Sequence, residues 1–220
     1  MIWKFTDNKS RDSIEQQFDW ARNMNEVPQD KLYHAEGNVA VHTWKVIEEL
    51  QQLPAYSDLG GQDKEILWTA ALLHDVEKRS ATVVESDGRI TARGHARKGE
   101  YTVRTLLYRD LPTPFAIREK IASLVRFHGL PLWLMEKTDP VRKIAEVAFR
   151  LDTSQLRMLA EADIRGRICQ DREELLESLD LFELFCREQG CWKKSREFTT
   201  DHARFRYFHT AESYIDYIPY

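Results

Sequence analysis

The scarcities of this sequence narrow it first. It has only three cysteines, Cys169, Cys186 and Cys191, and no CxxC pair. An odd, scattered set argues against a disulfide framework or a thiolate metal site, and points to reduced thiols in a cytoplasmic protein. No apolar run approaches the ~18 residues of a membrane span. The opening Met1-Ile2-Trp3-Lys4 lacks the long apolar stretch of a secretory signal. Neither charge sign dominates. A net charge of -4 excludes whole-surface attraction to nucleic acid and leaves only a local basic patch for that purpose. Glycine and proline are sparse, 9 and 7 of 220 residues, and fall at breaks: Pro28, Pro54, Gly60-Gly61, Pro112, Pro114, Gly129 and Pro131. There is no internal repeat and no low-complexity tract.

What remains is an ordinary globular composition, 42% hydrophobic and 31% charged, with apolar mass enough for one core. Residues 1–195 are expected to form one domain. Residues 196–220 read as an aromatic-rich C-terminal extension. There Phe205, Tyr207, Phe208, Tyr214, Tyr217 and Tyr220 follow no clean period. The extension packs on the body, forms an interface or leads toward a partner; the sequence leaves these open, and the oligomeric state with them. Between the breaks, apolar residues recur at helical spacing. One stretch differs: Thr82–Thr91 places β-branched arms around Asp87-Gly88, a hairpin signal.

The informative feature is which polar residues lie on the apolar stripes. In 38–53, Val39, Val46, Leu50 and Leu53 mark one helix face, and His42 falls on it. In 62–78, Leu67, Ala70 and Ala71 lead to His74 and Lys78, with Asp75 rotated by about 100°. Ile117, Ile121, Leu124 and Val125 lead to His128. Leu156, Leu159 and Ala160 lead to Asp163. His95 opens a stripe through Gly99, Val103 and Leu106. Alone, each histidine reads as a hydrogen-bonded core residue. An inward aspartate without a partner is costlier to keep, although a helix end or an ion pair would also explain it. Together, five segments direct imidazole or carboxylate inward near one end, and a shared divalent cation would stabilise such a set. With no thiolate among the ligands, Mn, Fe, Co, Ni, Zn or, less well, Mg suits the site. Such a cation polarises a phosphoryl oxygen and lowers the pKa of water. Lys78 could then neutralise developing charge; by itself it would read as a surface lysine in a helix's last turn.

These residues carry a family resemblance. Leu72-Leu73-His74-Asp75-Val76-Glu77-Lys78 resembles the signature of the HD-domain phosphohydrolases, Val41-His42-Thr43 its first ligand and Ala162-Asp163 its last. Four pieces are similar to the HD region of bacterial tRNA nucleotidyltransferases: Val41-His42-Thr43, Gly94-His95, Arg126-Phe127-His128-Gly129, and the run from Glu161 to Arg167. Tyr33-His34-Ala35-Glu36-Gly37-Asn38-Val39 resembles the HD half of bacterial end-healing proteins that join such a domain to a polynucleotide kinase. The segment Arg204-Phe205-Arg206-Tyr207-Phe208 resembles the piece preceding the kinase there.

The resemblance implies an all-α HD-domain helical bundle, here with a small β-hairpin insert. It implies a metal centre of His42, His74, Asp75 and Asp163, with His95 and His128 beside it, holding one or two divalent ions. It implies a phosphohydrolase in which Asp75 and Lys78 take part in the chemistry. The substrates implied are 2′,3′-cyclic, 2′- or 3′-phosphates on RNA ends or nucleotides, with a kinase or RNA-repair protein as partner class. Candidate substrate contacts are His34, Glu36, Arg126, Arg165 and Arg167. The rivals are a nucleotidase for free mononucleotides and a non-catalytic scaffold that binds RNA or a protein. For Arg165 and Arg167 a solvated helix end is the competing reading, and for Glu36 a helix cap. Two departures stand out. Glu77 occupies a position where the family often has glycine, which bears on Lys78. No GxxxxGK[ST] phosphate loop occurs, so this chain does no kinase chemistry. Trp3, Trp20, Trp44, Trp68, Trp133 and Trp192 are scattered and read as core filling. Glu173, Glu174 and Glu177 read as the solvated face of an amphipathic helix.

Overall fold

The stripes become helices close to their expected bounds. The computed structural model of the protein describes residues 1–193. Along the chain run α1 (Arg11–Gln17), α2 (Asp19–Asn23), α3 (Val39–Gln52), α4 (Pro54–Ser57), α5 (Gly61–Leu73) and α6 (Lys78–Ala81). A hairpin of β1 (Val83–Val84) and β2 (Ile90–Thr91) follows. Then come α7 (His95–Arg109), α8 (Phe115–Phe127), α9 (Leu130–Trp133), α10 (Pro140–Arg150), α11 (Thr153–Gly166) and α12 (Arg172–Glu188). The architecture is all-α with one small antiparallel insert, as the sequence implied. The extension 196–220 and its aromatic residues lie outside the described residues.

Helix α5 is the hub. Every residue from Ile66 to Leu73 is buried, because α3, α8 and α11 pack around it. Each fully buried large apolar side chain stabilises by roughly 1.5–3 kcal/mol, and Leu50, Leu67, Trp68, Leu72, Ile121 and Leu124 are all of this kind. The N-terminal segment closes the same core with Phe5, Ile14, Trp20 and Met24. In α12, Leu175, Leu179 and Phe182 are buried and the helix packs on α11, leaving its acidic face outside. Trp20 and Trp68 fill core as expected, whereas Trp133 is half exposed.

Two local features place the site. The periodicity of 62–78 suggested one helix, but α5 stops at Leu73. There His74 donates from Nδ1 to the carbonyl of Ala71 at 2.7 Å, capping one of the carbonyls a helix end leaves unpaired. The chain then tightens into turns, with Val76 N to Leu73 O at 3.1 Å and Lys78 N to Asp75 O at 2.9 Å. Adjacent His74 and Asp75 can therefore turn the same way, which a continuing helix would forbid.

The second feature is the loop 28–38, which follows no helical stripe. Its ends are pinned by a bridge between Pro28 and Asn38 and by Val39 N to Val27 O at 3.0 Å. Asn38 caps α3 through Val41 N at 2.9 Å. Ala35 N bonds to Ile168 O at 3.0 Å just past α11, and Asp30 accepts from Ile90 N of the hairpin at 2.9 Å. The hairpin pairs Val83 with Thr91 and Val84 with Ile90, so it braces this loop rather than the core.

Candidate metal centre

Five of the seven histidines form a continuous chain of rings, His34–His42–His74–His128–His95, with successive centroids 4.7, 5.5, 5.2 and 5.2 Å apart. They come from the loop 28–38, the first turn of α3, the C-terminus of α5, the C-terminus of α8 and the N-terminus of α7. Gly94, in the left-handed region at φ 78°, makes the sharp entry that delivers His95. A side chain there would be strained.

Three of the imidazoles are anchored through Nδ1 on a backbone carbonyl. His74 Nδ1 bonds to Ala71 O at 2.7 Å, His95 Nδ1 to Ala92 O at 2.7 Å and His128 Nδ1 to Val125 O at 2.8 Å. His42 Nδ1 lies 2.8 Å from Glu36 Oε1. A carbonyl only accepts, so in the three helix-end histidines Nδ1 carries a proton and Nε2 is the atom that faces inward.

The inward atoms meet at Asp75. Its Oδ2 is 3.2 Å from His74 Nε2, 3.8 Å from His42 Nε2 and 2.7 Å from Lys78 Nζ. Its Oδ1 is 3.2 Å from His95 Nε2 and 3.9 Å from His128 Nε2. The two latter imidazoles bring their Nε2 atoms within 3.3 Å of each other. Asp163 closes the first half, with Oδ1 3.0 Å from His42 Nε2. His42, His74 and Asp75 offer ligand atoms within 4.8 Å of one another, as do Asp75, His95 and His128. Despite these distances, His74 Nε2 and both Asp75 oxygens are buried without a hydrogen-bond partner. Polar atoms aimed at a common centre, rather than at one another, have this geometry, and an imidazole–carboxylate set fits a divalent cation.

The electrostatics hold the two aspartates and His128 in metal-binding form, whereas His74 is pulled toward its protonated form. Burial would raise the carboxyl of Asp75, but His74 and Lys78 outweigh it and keep the group well below the usual carboxylate range. Asp163 is likewise low, because Arg167 and His42 overcome its burial. Burial, with His74 and His95 nearby, pushes His128 down to about 3. Burial lowers His74 too, yet the adjacent Asp75 carboxylate wins and raises it.

The remaining candidates divide. Lys78 is no surface lysine: it opens α6 and its ammonium lies on Asp75 and on Gln29 Oε1. His34 borders the cluster with Nδ1 2.8 Å from Glu36 Oε1, and burial pushes it down to about 4.

Four of the five expected substrate contacts have partners within the protein. Glu36 has a wholly buried side chain whose second oxygen accepts from Ile168 N at 2.8 Å. It therefore backs His42 from behind. It does not cap α3, since Asn38 does. Arg167 forks onto Asp163 through Nε and Nη2, supporting a carboxylate of the centre. Arg165 pairs with Glu161 at 2.8–2.9 Å, because two positions along a helix turn it by roughly 200° from Asp163. Arg126, two positions before His128, is turned away for the same reason and joins Arg104 and Arg150 around Glu100.

One neighbour escaped the sequence reading. Gln29 lies in the loop 28–38, and only its contact with Lys78 reveals it; no periodicity marks it. The family model described as HD domain matches residues 39–163, more than half of the chain, from the start of α3 to Asp163. A search of curated proteins finds no match.

Proposed function

The chain belongs to the HD-domain family, whose members are usually metal-dependent phosphohydrolases, and from that premise we propose that it hydrolyses 2′,3′-cyclic or terminal 2′- or 3′-phosphates of RNA ends or nucleotides. The observation that carries the reading is the convergence of four anchored imidazoles on the two oxygens of Asp75. His42, His74, Asp75 and Asp163 would hold one divalent cation, and Asp75 with His95 and His128 a second. A cation bound there supplies Lewis-acid polarisation of the phosphoryl group and lowers the pKa of water.

The protein's own residues do the rest. Glu36 and the carbonyls of Ala71, Ala92 and Val125 fix the orientation of the four imidazoles. Arg167 holds Asp163 in place and ionised. Lys78, with its ammonium on Asp75, offers positive charge where a phosphoryl oxygen would carry negative charge. His34 stands at one end of the ring chain, next to His42, where it could contact the ribose phosphate. The preference for ribose phosphates over other phosphoesters is supported by the resemblance of Tyr33–Val39 to end-healing proteins, and a separate kinase acting on the same ends is the partner class it suggests.

The test is hydrolysis of a chromogenic phosphodiester with Mn, Ni, Co, Fe, Zn or Mg added, followed by nucleoside 2′,3′-cyclic, 2′-, 3′- and 5′-phosphates. The double variant His74→Ala, Asp75→Ala serves as control. We expect metal-dependent turnover fastest on the cyclic or 2′/3′ esters and at least tenfold slower in the control, since disturbing the support of a metal ligand alone costs about 10–100-fold. A 5′-phosphate preference would favour a nucleotidase, and no turnover with any metal would make the protein a binding scaffold.

A further inference from the structure

The side chain of Gln29 is half used. It is 6% exposed, and its Oε1 accepts from Lys78 Nζ at 2.6 Å. An ammonium has only donors, so this contact fixes the amide: the oxygen faces Lys78 and the nitrogen faces away. Nε2 therefore presents two N–H groups, and it is buried with no hydrogen-bond partner. Buried donors in folded proteins are nearly always paired, and an unpaired one beside a cluster of ligand-type side chains calls for a partner such as a water or a bound ligand. The position is defined by the same contacts. Lys78 Nζ lies 2.7 Å from Asp75 Oδ2, so the orphan amide is two contacts from the carboxylate shared by both halves of the centre. The loop that carries it is pinned at both ends and by Asp30 to the hairpin.

We infer that Gln29 is a substrate-binding residue whose Nε2 donates a hydrogen bond to a non-bridging oxygen of the phosphoryl group held at the His/Asp centre. This rests on the phosphohydrolase reading above. The acceptor required is an oxygen with lone pairs beside a positive ammonium, and a phosphoryl oxygen meets both conditions. Because the amide is neutral and cannot lose its protons, it orients the group without taking part in proton transfer. Lys78 and Gln29 then act as one clamp, with the ammonium tied to Asp75 and the amide tied to the ammonium.

Gln29→Glu separates donation from mere support of Lys78. The glutamate keeps an oxygen for the ammonium, but it replaces the donor by a second acceptor. Gln29→Leu removes the donor without adding charge. The probe is inorganic phosphate, titrated calorimetrically and by thermal shift into manganese-loaded protein, with bound metal measured alongside. We expect both variants to hold wild-type metal, to bind phosphate at least tenfold more weakly, with the glutamate weaker still, and to raise KM more than they lower kcat. Phosphate affinity of Gln29→Glu within twofold of wild type overturns the inference, as does a wild-type protein that takes up metal and binds no phosphate. If wild type binds phosphate yet turns over no ester, the functional reading fails while the titration still decides the role of Gln29.

Discussion

Glu36 Oε1 lies 2.8 Å from Nδ1 of His42, and the carboxylate is fully buried with its other oxygen on Ile168 N. Burial would raise this carboxyl, but His34, His42 and Ile168 N overcome it and hold it far below its usual range. It is thus a fixed negative charge behind a ligand. Glu36→Gln should lose that charge and, with an amide nitrogen facing the Ile168 N–H, part of the geometry. Metal affinity and turnover are expected to fall about 10–100-fold with the fold intact by circular dichroism. Unchanged metal affinity would return Glu36 to a purely structural role.

Asp75 offers one oxygen to each half of the centre, which predicts a capacity of two metals. The double variant His95→Ala, His128→Ala should bind one equivalent where wild type binds two, with a steep loss of rate. Elemental analysis after dialysis against excess metal is the measurement. One equivalent in saturated wild type would refute the bridging arrangement and leave His95 and His128 as phosphate contacts beside a single ion.

Gly166 presses on α3. A Cβ at this position would lie 2.9 Å from the backbone nitrogen of Val46, and backbone cannot swing aside as a side chain can. Gly166→Ala should therefore part α11 from α3, and with them Asp163 from His42. We expect destabilisation of about 1–3 kcal/mol, read by chemical denaturation, with weakened metal binding. A variant of wild-type stability would mean that the helices separate without cost.

Stability of the metal-free protein should depend on pH through its buried imidazoles. His34 and His128 are pushed down to about 4 and about 3, below the ~6.5 of an unfolded histidine. Between those values the unfolded chain binds protons that the folded chain refuses, so stability is fully present above about pH 6.5 and is lost on acidification. The slope is up to roughly 1.4 kcal/mol per pH unit for each group. Asp75, Asp163 and Glu36, all held low, lose their contributions in the same direction below roughly pH 4. His74, raised by Asp75, opposes this, since its contribution is present at acid pH and disappears as pH rises through its folded value. The net expectation is a melting temperature of chelator-treated protein that falls from pH 7 to pH 4. A flat or rising profile would contradict the burial of neutral imidazoles.

The sequence by itself determined the helices and the identity of the inward ligands. Both follow from local periodicity: an imidazole or carboxylate on an apolar stripe must be buried wherever that stripe packs. His42, His74, His95, His128 and Asp163 were legible on those grounds, and the Asp87-Gly88 turn announced the hairpin. Tertiary structure alone decided the partners. The end of α5 at Leu73, which lets His74 and Asp75 face one way, depends on a side-chain cap. Glu36 and Gln29 reach the centre through a loop with no periodicity, held by residues as distant as Ile168 and Lys78. Arg165 and Arg167, by contrast, pair four positions back along α11, with Glu161 and Asp163, a spacing already present in the sequence. Arg126 alone needed another element, since Glu100 of α7 becomes its partner only once α7 and α8 have packed.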